Sequence, residues 1–136
     1  MADTLTLEAL HRAAEQLWKE LPAGAVVWLS GELGTGKTTF VQALARAAGA
    51  ERARSPSFAL VHEYASPAGL LVHADCYRLR SPDEALDLDL AGLAGEARLL
   101  LVEWPERAGA YAPDPDLHIR LAHADDPDCR TVEYVR

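Results

Sequence analysis

Lysine is the scarcest charged residue on this chain, with only Lys19 and Lys37 among 136 residues. Lysine and arginine together number 13 against 21 aspartates and glutamates, a net charge of −8. A domain that grips nucleic acid by itself carries a basic face. No Lys/Arg cluster exists here, so no direct DNA binding is expected, and any role on RNA has to be indirect, through a protein partner. Cysteine is equally scarce: Cys76 and Cys129 lie far apart, form no C-x-x-C and stand in no Cys/His ligand spacing. They read as reduced thiols rather than a disulfide or a zinc site. No run approaches the roughly 20 apolar residues that cross a bilayer, and Met1-Ala2-Asp3-Thr4-Leu5 lacks the basic start and apolar core of a signal peptide. A cytoplasmic protein without membrane contact is the expectation. Residues 1–136 read as a single domain, large enough to bury about two thirds of its unfolded surface.

Against these absences stands one octapeptide, Gly31-Glu32-Leu33-Gly34-Thr35-Gly36-Lys37-Thr38, which fits G-x-x-x-x-G-K-[ST] at every fixed position. Glycines at this spacing let successive backbone N–H groups approach phosphates, the lysine reaches the β and γ oxygens, and the adjacent hydroxyl holds Mg²⁺. The flanks suit the motif. Ala25–Ser30 is a short apolar run between Gly24 and Gly31, as in a buried strand. Residues 39–48 read as a helix stopping at Gly49, with its N-terminus aimed at the phosphates. ATP or ADP with Mg²⁺ is therefore the expected ligand, contacted by residues 32–38 and by Thr39.

Elsewhere, residues 6–21 place Leu7, Leu10, Ala14, Leu17, Trp18 and Leu21 on one helical face. Residues 58–64 and 70–77 flank Ser66-Pro67-Ala68-Gly69 as a hairpin. Ser81-Pro82-Asp83-Glu84 reads as a capping box opening a helix to about Leu88, followed by a short helical piece near 89–93. Residues 99–104 form a second buried strand, ended by Pro105, which keeps Trp104 out of helical geometry. Residues 117–123 and 131–135 bracket Asp125-Asp126-Pro127-Asp128 as a final hairpin. The expected fold is α/β, a P-loop NTPase-like three-layer arrangement. Its central sheet is mostly parallel, with antiparallel edge hairpins.

Mg²⁺ on a triphosphate calls for an acid at the end of a strand beside the loop strand. Glu103 follows four apolar residues, Leu99 to Val102, and Asp75 ends the 70–77 strand. Glu103 is expected to ligate the metal directly or through one water, and Asp75 to stand behind it or orient the attacking water. Asp87, Asp89 and the Asp125–Asp128 cluster read as solvated charge. Arg78 and Arg107 read as surface arginines, and His73 as a hydrogen-bonded structural histidine.

Four segments together resemble one family. Gly31–Phe40 is followed by Ser55-Pro56-Ser57-Phe58 leading into Val61-His62-Glu63-Tyr64, then His73-Ala74-Asp75-Cys76-Tyr77-Arg78-Leu79, then Leu101-Val102-Glu103-Trp104-Pro105-Glu106. Their order and spacing resemble the TsaE (YjeE) family of P-loop ATPases in tRNA threonylcarbamoyladenosine modification. The resemblance implies that Lys37 and Thr38 carry phosphate and Mg²⁺, that Asp75 and Glu103 are the essential acids, and that Trp104 stands beside the nucleotide. It implies a nucleotide-responsive switch at 55–64, where Ser57 replaces the usual threonine. It also implies partners, TsaD and TsaB, whose complex the ATPase resets, with tRNA reached only indirectly. A small-metabolite P-loop kinase and a non-catalytic nucleotide-sensing adaptor share the loop and stand as alternatives. A GTPase does not fit, because no Asn-Lys-x-Asp motif is present.

Overall fold

The computed structural model of the chain describes residues 2–32, 34–52 and 60–135. Leu33, Ser57 and the Ser55-Pro56-Ser57 part of the expected switch lie outside the described residues.

Strand β1 (Ala2–Thr6) leads into helix α1 (Leu7–Glu20), and β2 (Ala25–Ser30) leads through the glycine loop into α2 (Lys37–Ala47). A two-residue strand β3 (Glu51–Arg52) precedes the hairpin of β4 (Val61–Ser66) and β5 (Gly69–Asp75). A 3₁₀ segment (Pro82–Leu88) and helix α3 (Leu90–Glu96) return the chain to β6 (Leu99–Glu103). Two short 3₁₀ turns, Pro105–Arg107 and Gly109–Tyr111, then lead to the terminal hairpin of β7 (Leu117–His123) and β8 (Cys129–Val135).

The eight strands among the described residues form one sheet in the order β1-β8-β7-β2-β6-β5-β4-β3. The four central strands, β7, β2, β6 and β5, run parallel, and every outer pairing is antiparallel. Alternation along a strand explains why β6 is apolar throughout. Leu99 and Leu101 enter the core beneath α1 and α2, while Leu100 and Val102 enter the opposite core beneath the 3₁₀ segment and α3. A strand covered on both faces has no solvent side to make polar. Each fully buried Leu or Phe, such as Phe40, Leu44, Leu99 and Leu100, contributes about 1.5–3 kcal/mol.

Four expectations need correction. Strand β1 is unforeseen: it is held by its antiparallel register with β8, Ala2 to Glu133 through Thr6 to Cys129, a partner 123 or more residues away. Thr6 is not the first helical residue but the N-cap, its hydroxyl accepting from Ala9 N at 3.1 Å. The capping box at Ser81 does not form. Ser81 makes no side-chain cap, Glu84 instead accepts from Arg80 N at 2.9 Å, and the segment is 3₁₀ rather than α. Asp89 is no solvated bystander: it adopts φ 48° and its carboxylate caps α3 by accepting from Gly92 N at 3.2 Å.

Candidate functional site

The loop geometry follows from its glycines. Gly36 is the N-cap of α2 with φ 99°, a left-handed conformation that L side chains rarely adopt. A Cβ on Gly31 would lie 2.5 Å from Leu121 O and 2.6 Å from Thr35 Oγ1, so the loop could not pass the end of β7 with any larger residue. Thr35 is fully buried and its hydroxyl donates to Glu32 O at 2.7 Å. This bond closes the turn from inside and leaves Gly34, Gly36, Lys37, Thr38 and Thr39 along a cleft of about 330 Å³.

Lys37 is buried in that cleft. Its Nζ donates to Gly31 O at 2.5 Å and lies 4.2 Å from the centroid of the Trp104 ring. Among the described residues no carboxylate pairs with it, and the contacts made there by the ammonium are with a carbonyl and a π face. Trp104 is placed there by strain. Pro105 excludes the right-handed helical region for the preceding residue, and Trp104 adopts φ 55°, ψ 51°, a conformation costing on the order of 1–3 kcal/mol. The chain thereby turns sharply after Glu103. Tyr77 packs against the same indole at 5.1 Å, and the Arg107 guanidinium lies 5.1 Å from the Tyr77 ring and 5.6 Å from that of Trp104. Arg107 is therefore part of an aromatic stack rather than an isolated surface charge.

Asp75 and Glu103 are brought together by register. They are direct partners across the parallel β5–β6 pair, and Glu103 is also the partner of Leu29 on the loop strand. Cys76 N donates to Glu103 O at 3.0 Å, locking the two strand ends. Both acids line the cleft with Thr38, at the carboxyl ends of the parallel strands where open α/β sheets bind ligands. Glu103 is only 4% exposed. One of its oxygens accepts from His73 Nε2 at 2.9 Å, while one oxygen of Asp75 accepts from Tyr77 N at 3.0 Å. Among the described residues each carboxylate thus commits one oxygen to the protein. No group of three or more His, Cys, Asp or Glu forms a metal cage among the described residues. Mg²⁺ bound with a triphosphate does not need one, since one or two carboxylates suffice beside phosphates and waters. Thr38, Asp75 and Glu103 fit that donor set. The neighbouring Cys76 thiol is pushed up to about 11, by burial first and then by the charge of Asp75, so it is a neutral packing group beside the acids.

His73 lies nearer the chemistry than its sequence position suggests. It is buried, stacks on His62 at 5.8 Å, and orients the carboxylate of Glu103. His73→Ala leaves a buried oxygen of Glu103 without its donor, and the Mg²⁺ affinity of the nucleotide-bound protein should fall roughly 10- to 100-fold, the usual cost of removing such an outer partner. His73→Gln should restore part of it. A Mg²⁺ titration of turnover decides the point: equal Mg²⁺ dependence in wild type, His73→Ala and His73→Gln would make His73 a packing residue only. Of two other contributors to the cleft, Leu7 was legible only as part of an apolar helix face and Arg130 carried no sequence signal. Arg78 contributes nothing to its lining.

Strand, glycine loop and helix at the centre of a mostly parallel sheet, with acids on the neighbouring strand ends, define an α/β domain of the P-loop class. A family profile described as threonylcarbamoyl adenosine biosynthesis protein TsaE matches residues 4–132. The chain belongs to the TsaE family, which acts in tRNA threonylcarbamoyladenosine biosynthesis. It is 42% identical to the TsaE protein of Aquifex aeolicus over 103 residues, covering 74% of this chain and 72% of that protein. With the Streptomyces coelicolor TsaE protein it shares 35% identity over 130 residues, 93% of this chain and 87% of the relative. The crystal structure of YdiB from Bacillus subtilis superposes with a TM-score of 0.73 at 27% identity, covering 98% of this chain and 86% of that one.

Proposed function

We propose that this protein is the ATP-binding and ATP-hydrolysing component of the tRNA threonylcarbamoyladenosine machinery, working in the cytoplasm with TsaD and TsaB. The observation that carries the reading is the convergence of Lys37, Thr38, Asp75 and Glu103 on one cleft beneath Trp104. Backbone N–H groups of residues 34–38 and the Lys37 ammonium take the phosphate charge. Thr38 and Glu103 hold Mg²⁺, which when bound neutralises charge developing on the phosphate oxygens. Asp75, one oxygen tied to Tyr77 N, orients the attacking water.

Turnover by the chain alone should be slow. In this class an arginine supplied in trans or a glutamine beside the water contributes several orders of magnitude. Arg107 is engaged with Tyr77 and Trp104. A partner docking against Trp104 and Glu106 completes or gates the site. The net charge of −8 suits a protein that reaches tRNA only through its partners. No helix among the described residues is long and apolar enough to cross a membrane.

The test is ATP hydrolysis by wild type and Trp104→Ala, each with and without TsaD and TsaB, together with a search for a phosphorylated small-molecule acceptor. Partner-stimulated hydrolysis is expected, with stimulation lost in Trp104→Ala while ATP affinity changes only a few-fold. The affinity loss stays small because the cation–π contact is worth about 0.5–2 kcal/mol. A phosphorylated acceptor would establish the kinase instead, and binding without turnover under any condition would establish the adaptor.

A further inference from the structure

The sheet ends on one side at β1, and among the described residues no strand pairs with its outer edge. An open edge is a template for another strand unless charge, proline, a bulge or a covering element blunts it. Ala2-Asp3-Thr4-Leu5-Thr6 carries no lysine and no proline, and its one charge is Asp3. The antiparallel register decides where that charge goes. Asp3 lies opposite Val132 and Leu5 opposite Arg130, and directly opposed residues share a face of the sheet. Val132 and Leu5 pack into the core beneath α1. Asp3 therefore stands on the α1 face, as does Tyr134, two residues beyond Val132.

On that face α1 leaves the sheet incompletely covered. Ala13, Gln16, Leu17, Glu20 and Tyr134 line a groove of about 320 Å³, close to the volume of the nucleotide cleft. Its walls are largely apolar, and among the described residues its one charged lining group is Glu20. Gln16 Nε2 donates to one Glu20 oxygen at 3.0 Å, which steadies the carboxylate at the rim. Burial first, then the charges of Asp3 and Glu20, push the Tyr134 phenol up, so both acids bear on the same ring. Glu20 closes α1, roughly 20 Å along the helix from Leu7 at the cleft mouth. The groove is a second surface, at the end of the sheet away from phosphate and metal.

We propose that the β1 edge and this groove bind an extended, cationic segment of another protein. The segment pairs its backbone with β1, sets an apolar side chain between Leu17 and Tyr134, and brings a lysine or arginine to Asp3 and Glu20. In strand addition of this kind main-chain hydrogen bonds supply affinity, and pockets for alternate side chains supply selection. A long cation suits an apolar groove with acids at its rim, because its stem packs on Leu17 and the Tyr134 ring while its head stays at the carboxylates. A second copy of this chain is the disfavoured occupant. Pairing two β1 edges sets acidic grooves against one another in molecules that each carry a net charge of −8.

An NMR titration of the isotope-labelled chain with the blocked peptide acetyl-Thr-Lys-Thr-Val-Thr-Lys-Thr-amide tests this. Its two lysines and its valine share one face when extended. Two control peptides replace lysine by glutamate or methylate alternate backbone nitrogens. The basic peptide should shift the amides of residues 3–6, the Gln16 side-chain amide and Tyr134, and should slow exchange along β1. Both controls should bind roughly tenfold more weakly or worse, and Asp3→Lys and Glu20→Lys should each weaken the basic peptide by a similar factor. Both substitutions fall at exposed positions, so a thermal melt should find them folded, and the wild-type controls decide the matter if one is not. No shift at β1, or equal binding of the lysine and glutamate peptides, would overturn the proposal. Equal binding of the methylated peptide would overturn strand addition. Sedimentation showing a dimer that Glu20→Lys dissolves would put a second copy on the edge and overturn the cationic partner.

Discussion

Lys37→Ala protein should bind ATP about 10- to 100-fold more weakly than the parent while melting within a few degrees of it. The affinity loss follows from removing the one lysine in the cleft, since hydrogen bonds to charged groups contribute about 1.5–3 kcal/mol each and every 1.4 kcal/mol is tenfold. The fold survives for a separate reason. In the nucleotide-free chain the buried ammonium has a carbonyl and an indole for company but no carboxylate among the described residues. Its removal therefore deletes a desolvated charge along with a modest cation–π attraction, and the two effects oppose one another. Calorimetry and a thermal melt on the same preparation check both halves. Undiminished ATP binding by a folded Lys37→Ala protein would remove the loop from the binding site.

Glu103→Gln should lower partner-stimulated turnover roughly 10²- to 10³-fold, equivalent to about 3–4 kcal/mol of lost charge stabilisation, with ATP affinity changed only a few-fold. Glutamine keeps the length and can still accept from His73, so the loss isolates the negative charge of the carboxylate. Asp75→Asn should behave differently. Asp75 is less buried than Glu103 and is tied to a backbone N–H rather than to a buried histidine. Its substitution should depress the maximal rate without moving the Mg²⁺ half-saturation point, whereas Glu103→Gln moves both. Steady-state rates across an Mg²⁺ series separate the two roles. The opposite pattern would exchange the metal ligand and the water-orienting acid.

The positions of these two residues illustrate how much of the chain is legible in its sequence. Local chemistry was sufficient to expect a phosphate cradle at Gly31–Thr38, because such a cradle needs glycine backbone freedom, a lysine and a hydroxyl at set intervals, and nothing distant can substitute for them. It was sufficient for β2 and β6, whose uninterrupted apolar runs mean burial on both faces. The hairpin turn at Ser66–Gly69 was also legible: Ser66 Oγ donates to Gly69 O at 2.6 Å and accepts from Ala68 N at 3.2 Å. The break at Pro105 was equally plain, although only its consequence was unknown. Proline barred Trp104 from the right-handed helical region, and the structure placed it in the left-handed one, which aims the indole at Lys37.

What depended on tertiary structure was every relation between distant segments. The 3₁₀ geometry after Ser81 was one such outcome, since Glu84 turned to Arg80 N and the local capping pattern lost. Strand β1 was another. Residues 2–6 have no strand signal strong enough to stand alone, and they become a strand because β8 offers an open edge. That pairing alone sets Leu7 beside Arg130, 123 positions apart in the chain. In the same way parallel register alone sets Asp75 beside Glu103, and His73 within 2.9 Å of the Glu103 carboxylate. Sequence determined the glycine loop and the phosphate chemistry expected of it, because both are built from neighbours in the chain. The meeting of Leu7 with Arg130 and of His73 with Glu103 was decided only when the sheet closed, because hydrogen-bonded register, not proximity in sequence, chooses which side chains share a cleft.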